Sequence, residues 1–213
     1  ENPKCALCHK PPVKEKTKHY FFKLKNFSED LYKWLDENQS LQKDVKKYVQ
    51  NWIKGGLIDW DITRDISWGV PIPIGGAKGK VFYGWFDNHL AYISSTIKFL
   101  NDKGLDGKKF WNSADIYHFI GKDIVYHHYL FLPAMRIGIG EEYKLPDYIP
   151  TRGHLTLQSK KISKSRNWYI GLKEFLGYYP ADYLRFYLVS ITPYSQDDLN
   201  FDWEEFATKI NSE

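Results

Sequence analysis

The sequence predicts an α/β protein built on a parallel sheet, and three observations carry that expectation. Aromatic, β-rich runs at 80–87 and 116–120 are each followed by a helical pattern, at about 89–101 and 123–137. Residues 148–158 then supply one or two more short strands ahead of a tail that reads as helical from about 171. Strands that alternate with helices need crossover connections, and crossovers give parallel pairing.

Residues 1–27 read as a small basic knuckle and an aromatic strand, punctuated by Pro11 and Pro12, with HYFFKL at 19–24 as the β-rich run. Ser28 is the expected N-cap of the first helix, with Glu29 and Asp30 acidic in the first turn. Leu31, Trp34, Leu35, Leu41, Val45, Tyr48, Val49 and Trp52 recur at helical spacing and end at Gly55-Gly56. This predicts one long helix over 28–54, or two with a break near Asn38-Gln39-Ser40. Residues 60–79, with Pro71, Pro73, Gly75, Gly76 and Gly79, read as loop. The run KVFYGWFD at 80–87 has aromatics on both faces and is expected to be a buried strand. In the tail, Pro180 stands near the start of the helical segment ADYLRFYL.

Composition bounds the function classes. A length of 213 residues suggests about one to two domains. With 43% hydrophobic and 26% charged residues, collagen-like and disordered classes are excluded. No run approaches the roughly 18 apolar residues that a membrane-spanning helix needs, so no membrane partner is expected. The opening ENPKCALC is neither a signal nor a transit peptide, and without an initiator Met the chain reads as a subunit or an excised piece. Net charge of +4 permits a polyanionic partner without requiring one. Cys5 and Cys8 are the sole cysteines, which excludes a scaffold of several disulfides and favours a reducing compartment.

The most informative stretch is KKISKSR at 160–166: three lysines, two serines and an arginine around one apolar side chain. Such a loop offers mobile cations and small hydrogen-bonding groups, suited to a polyphosphate whose charge grows during reaction. A solvated basic loop is the alternative reading of composition alone. Earlier, Gly121 follows a buried strand and precedes a helix, so Gly121 and Asp123 sit at a strand's carboxyl end, where ligands bind in open parallel sheets. Asp123 there could accept hydrogen bonds from ribose hydroxyls, or act simply as a first-turn helix acid.

Five stretches in order carry a family resemblance. They are ITRDISWGVPIP at 62–73, VFYGWFDNHLAYISS at 81–95, GKDIVYHH at 121–128, KISKS at 161–165 and DYLRFYL at 182–188. Together they resemble the class I aminoacyl-tRNA synthetases, and within them the methionine-specific branch, with KISKS similar to the KMSKS signature. The resemblance implies the C-terminal half of a Rossmann-type parallel-sheet nucleotide fold. Residues 1–27 would end a connective insertion with half a zinc knuckle, and 28–150 would form the second half of the nucleotide fold. Residues 151–200 would carry the KMSKS-like loop and a helical stem-contact region, and 201–213 would begin the anticodon-binding bundle.

The same resemblance implies an enzyme that activates methionine with ATP and Mg²⁺ and charges tRNA(Met) in the cytoplasm. It makes Lys161 and Lys164 catalytic, holding the ATP phosphates, with Gly121, Asp123, Ser163 and Ser165 also at the ATP site. Trp85, Tyr92 and His128 would line the methionine pocket, since a thioether packs well against aromatic rings. A core role for Trp85 is the competing reading; Arg64 with Asp65 would orient the active-site rim, or form an ordinary structural ion pair. Cys5 and Cys8 would be half of a structural zinc set; locally only His9 or His19 could add ligands.

Two departures stand out: Asn88-His89 replaces Ala-Pro in the pocket segment, and Asn167-Trp168 replaces Gly-Asn or Gly-Thr after the signature loop, which would stiffen its exit. The second class I signature, HIGH, is not in the sequence. A complementary chain bearing it is therefore expected as a partner. The alternative is a non-catalytic tRNA- or protein-binding module of the same descent, against which the retained lysine pair counts. A zinc-knuckle nucleic-acid binder explains only the first twenty residues.

Overall fold

The computed structural model describes residues 3–6, 8–140 and 143–212. Strand β1 (Phe21–Phe22) leads through a 3₁₀ turn (Leu24–Phe27) into α1 (Ser28–Glu37) and α2 (Lys43–Lys54). The break between the helices falls near Asn38, as the sequence predicts. Ser28 does not cap: the 3₁₀ turn runs straight into α1, and the Ser28 hydroxyl donates to the Lys25 carbonyl instead. Leu31 and Leu35 of α1 and Val45, Val49 and Ile53 of α2, spaced at one helical turn, are buried together. Past α2, Gly56 takes the left-handed φ of 93° that a helix terminus favours.

Strand β2 (Trp60–Asp61) pairs antiparallel with β1, and β3 (Thr63–Arg64) pairs antiparallel with β4 (Val81–Phe82). The buried strand expected over 80–87 is therefore two residues long. It gives way to the short helix α3 (Gly84–Asp87), and Trp85 emerges 42% exposed. The physical reason lies in the rings: Phe86 packs on Phe22, Trp60 and Phe82, so a helical backbone half-buries it without a sheet partner. A 3₁₀ turn (Asn88–Leu90), α4 (Ala91–Asn101) and α5 (Gly107–Ser113) come next; α5 has no counterpart in the sequence reading.

Two parallel pairs form the sheet elements under the site. Strand β5 (Ile120–Gly121) pairs parallel with β6 (Thr151–Arg152), extended by a bridge between Tyr117 and Tyr148. Strand β7 (Leu155–Leu157) pairs antiparallel with β8 (Lys160–Lys161) and parallel with β9 (Leu199–Phe201). The α/β class with parallel pairing holds. The tail is not wholly helical, because β9 lies between α8 (Ala181–Ile191) and α9 (Trp203–Ser212), with α7 (Leu172–Tyr178) before them. The helix expected over 123–137 is divided into a 3₁₀ turn (Lys122–Ile124), a π turn (His127–Phe131) and α6 (Leu132–Ile139). Pro133 cannot donate to the carbonyl four residues back and so stands in the first turn of α6.

The main core joins α1 and α2 to the segment from Ile120 to Ile149, through Leu24, Leu31, Val49, Tyr129 and Leu130. A second core gathers Leu157, Phe175, Tyr187, Phe201 and Phe206 behind the basic loop. Among the described residues no helix is long and apolar enough to cross a membrane.

Candidate active site

The histidines define the first part of the site. Tyr92, in the first turn of α4, lies 3.1 Å from Nε2 of His128, and His128 Nδ1 lies 3.1 Å from the Ile124 carbonyl. A carbonyl only accepts, so Nδ1 carries the proton and Nε2 of the neutral ring accepts from the tyrosine hydroxyl. Burial lowers the His128 pKa, with the Arg136 guanidinium acting in the same direction and the bond to Ile124 opposing it. The Trp85 indole stacks on His127 with centroids 5.1 Å apart and planes 6° from parallel. His89 lies 5.3 Å from His127 and 5.2 Å from His128, while His118 lies 4.6 Å from Tyr92 and 5.5 Å from His128. Burial, reinforced by the neighbouring histidines, pushes His89 and His118 down to about 3 and His127 to about 4.

Four neutral imidazoles therefore back Trp85 and Tyr92, and those two rings form the open side at 42% exposure each. The structure thus brings Trp85, Tyr92 and His128 into one cluster. His89, His118 and His127 belong to it too; sequence reasoning marked His89 only as a departure in the pocket segment and assigned His118 and His127 no part. The available signal was that four of the seven histidines fall in segments flanking predicted strand ends.

Gly121 ends β5, and the Asp123 carboxyl folds back over it. A β-carbon at Gly121 would meet Asp123 Oδ1 at 2.6 Å, so only glycine allows this approach. The same oxygen is 3.4 Å from Nε2 of His154, in the link between β6 and β7. Beside it Lys122 pairs with Asp198 at 2.8 Å, and the His154 amide donates to that same carboxylate at 2.7 Å. The Lys122 bond, then the His154 amide, lowers the Asp198 pKa.

The basic loop stands at the end of the β7–β8 hairpin. Gln158 and Ser159, at φ 49° and 59°, make the tight turn between those strands. Ser163 and Trp168 exchange backbone hydrogen bonds of 2.8 and 2.9 Å, closing a short loop around the 3₁₀ turn Lys164–Arg166. Lys161, Lys164 and Arg166 are exposed. The hydroxyls of Ser163 and Ser165 lie 3.2 Å apart. Asn167 adopts φ 51°, which asparagine tolerates better than most residues. Trp168 donates its indole N–H to the Leu157 carbonyl at 3.1 Å, and Lys160 lies 4.9 Å over its ring. The loop's exit is anchored at Trp168, in keeping with the stiffening expected there.

Two contacts left open by the sequence are not made. Arg64 pairs with Asp61 at 2.9 Å and sits 3.8 Å over the Tyr83 ring, whereas Asp65 pairs with Lys80 at 2.5 Å, so Arg64 and Asp65 each bond elsewhere. Lys80, aided by Thr17, lowers the Asp65 pKa. Cys5 and Cys8 are exposed in a turn closed by bonds from the Cys5 amide to the Lys10 carbonyl and from the His9 amide to the Cys5 carbonyl. His19 is turned toward Thr63 and Asp61 instead. Among the described residues no group of three or more histidine, cysteine or acidic side chains is placed to hold a metal ion. A tetrahedral zinc set needs four ligands, so the two thiols of this chain do not complete one.

Parallel strand pairs with a basic loop after them and an aromatic–histidine cluster beside them fit the α/β class of nucleotide-binding folds. The chain belongs to the family described as tRNA synthetases class I (M), whose profile matches residues 1–213. It is 45% identical over 215 residues to the methionine–tRNA ligase of Methanopyrus kandleri, and 41% identical over 213 residues to that of Methanobrevibacter smithii. Both alignments cover 100% of this chain, which spans 32% of each relative's length. Two structures of methionyl-tRNA synthetase from Mycobacterium tuberculosis with methionyl-adenylate are each 26% identical, with TM-scores of 0.77 and 0.80. They match 98% of this chain and 40% of theirs.

Proposed function

We propose that this chain carries the methionine pocket, one side of the ATP site and the lysine loop of a methionine–tRNA ligase. The observation that carries the reading is the Tyr92–His128 pair behind an open Trp85, in a chain matched to the family along its whole length. The methionine side chain lies against Trp85 and Tyr92, where a polarizable thioether gains from ring contacts. Asp123 accepts from the ribose hydroxyls, and Gly121 keeps room for that carboxylate. Ser163 and Ser165 bond the phosphates, and Lys161 and Lys164 neutralise them.

In the first step a methionine carboxylate oxygen attacks the ATP α-phosphorus in line. The bond to pyrophosphate breaks, and the negative charge gathering on the leaving group is met by Lys161 and Lys164. The chain's contribution is positioning and charge stabilisation rather than covalent chemistry. Mg²⁺ belongs to the substrate, as the ATP salt. A hydroxyl at the 3′ end of tRNA(Met) then attacks the adenylate's carbonyl carbon, the acyl–phosphate bond breaks, and AMP leaves with the methionyl group transferred, in the cytoplasm.

On this reading residues 1–27 close the connective insertion, 28–150 complete the nucleotide fold, 151–200 carry the loop and stem contacts, and 201–213 begin the anticodon-binding helices. The remaining two thirds of the relatives' length supplies the HIGH element, and Cys5 and Cys8 contribute half of a zinc set completed from that part. The open groove lined by Ile66, Trp68, Val70 and Trp85 supports this, since contiguous exposed apolar surface favours a covering surface. The test is amino-acid-dependent ATP–pyrophosphate exchange by the complete protein. Methionine alone should support exchange; exchange driven instead by isoleucine, valine or leucine would contradict the reading.

A further inference from the structure

We infer that His154 is a positioning residue that holds the Asp123 carboxylate for its ligand and ties that carboxylate to the strand feeding the lysine loop. The inference rests on the ribose-binding role proposed for Asp123. His154 belongs to no recognised signature and is half-exposed, yet its backbone is fixed on both sides. Its amide donates to Asp198 at 2.7 Å, and its carbonyl accepts from the Leu199 amide at 2.9 Å. Gly153, just before it, lies so close to the Asp197 carbonyl that no β-carbon fits there. The ring is thereby aimed across the gap between the two parallel pairs.

Its Nε2 reaches within 3.4 Å of Asp123 Oδ1. That separation is long for a direct hydrogen bond and suits a contact that tightens when ligand arrives. On its other side Gly121, lacking a β-carbon, leaves the room that the carboxylate occupies, so the His154 ring is the side chain that faces Asp123 Oδ1. Lys122 and Asp198 repeat the link at 2.8 Å, close beside it. From His154 the chain runs directly through β7 and the hairpin turn into Lys160 and Lys161. A displacement of the loop strand is therefore transmitted to the carboxylate through one imidazole.

The test uses the complete enzyme carrying His154→Ala, His154→Gln, Asp123→Ala or both alanine changes, assayed by methionine-dependent pyrophosphate exchange. His154→Ala should raise the KM for ATP about two- to five-fold, the scale of an exposed pair, and leave the KM for methionine unchanged. His154→Gln, which keeps an N–H at the reach of Nε2, should restore most of the loss. In the Asp123→Ala background the His154 change should add nothing. An additive effect in the double variant, or an equal rise in both KM values, would overturn the positioning role alone. An unchanged ATP KM in Asp123→Ala would overturn the Asp123 assignment and this inference with it.

Discussion

On the proposed function, Lys164 is the side chain on which the chemistry most depends, because charge accumulates on pyrophosphate only as the reaction proceeds. A group acting at that stage changes rate and not ground-state binding. Lys164→Ala in the complete enzyme should slow adenylate formation by about 100-fold or more, the usual cost of one preorganised charge contact. Methionine affinity, read by equilibrium binding, should stay nearly intact; a parallel loss of both would remove Lys164 from this role. Tyr92→Phe withdraws the hydroxyl that His128 Nε2 accepts. It should cost about 1 kcal/mol in denaturant titrations and raise the methionine KM with little change for ATP.

The histidines set a pH limit. Folding lowers the pKa of His89 and His118 to about 3 and of His127 to about 4, from 6.5. Between those values the unfolded chain binds more protons than the folded one. Stability is therefore full above about pH 6.5 and is lost as pH falls through the folded values. Thermal melts between about pH 7 and about pH 4.5 should show that decline, and His127→Phe should make it shallower. An unchanged slope would mean that carboxylates carry the acid limb.

At the scale of elements, the two glycines beside the strand ends are structural necessities of different kinds. Gly121 leaves room for a side chain, whereas Gly153 leaves room for backbone. Gly153→Ala would drive a β-carbon into the Asp197 backbone and separate the start of β7 from β9, a cost of about 1–3 kcal/mol or more, read as a fall in Tm. Asn167→Gly should be neutral in stability, while Asn167→Val forces a β-branched residue to φ 51° and should loosen the loop, visible as faster proteolysis there. What the sequence revealed at this scale depended on how local each element is. The α1–α2 break was legible because helical spacing is a property of neighbouring residues. Strand β9 was not, because its three residues acquire their identity from Leu155, Thr156 and Leu157, over forty positions earlier. The run at 80–87 misled because aromatic rings that stack on one another satisfy helix and strand equally. The basic loop and the trio Trp85, Tyr92 and His128 could be located from motifs, whereas the histidine cluster emerges only when His89, His118 and His127 converge.

At the scale of the whole molecule, the chain spans 32% of its relatives' length, and the proposed function makes it one part of a working site. Trp85 and Tyr92 open to one side, and the exposed rings of Trp68, Tyr117 and Phe119 lie on elements that leave apolar surface unpaired. The most direct test is methionine-dependent ATP–pyrophosphate exchange measured on this chain by itself and again with the HIGH-bearing remainder of the enzyme. Exchange that appears only in the mixture is the predicted result. Exchange by this chain unaided, or none from a mixture shown to assemble, would contradict it.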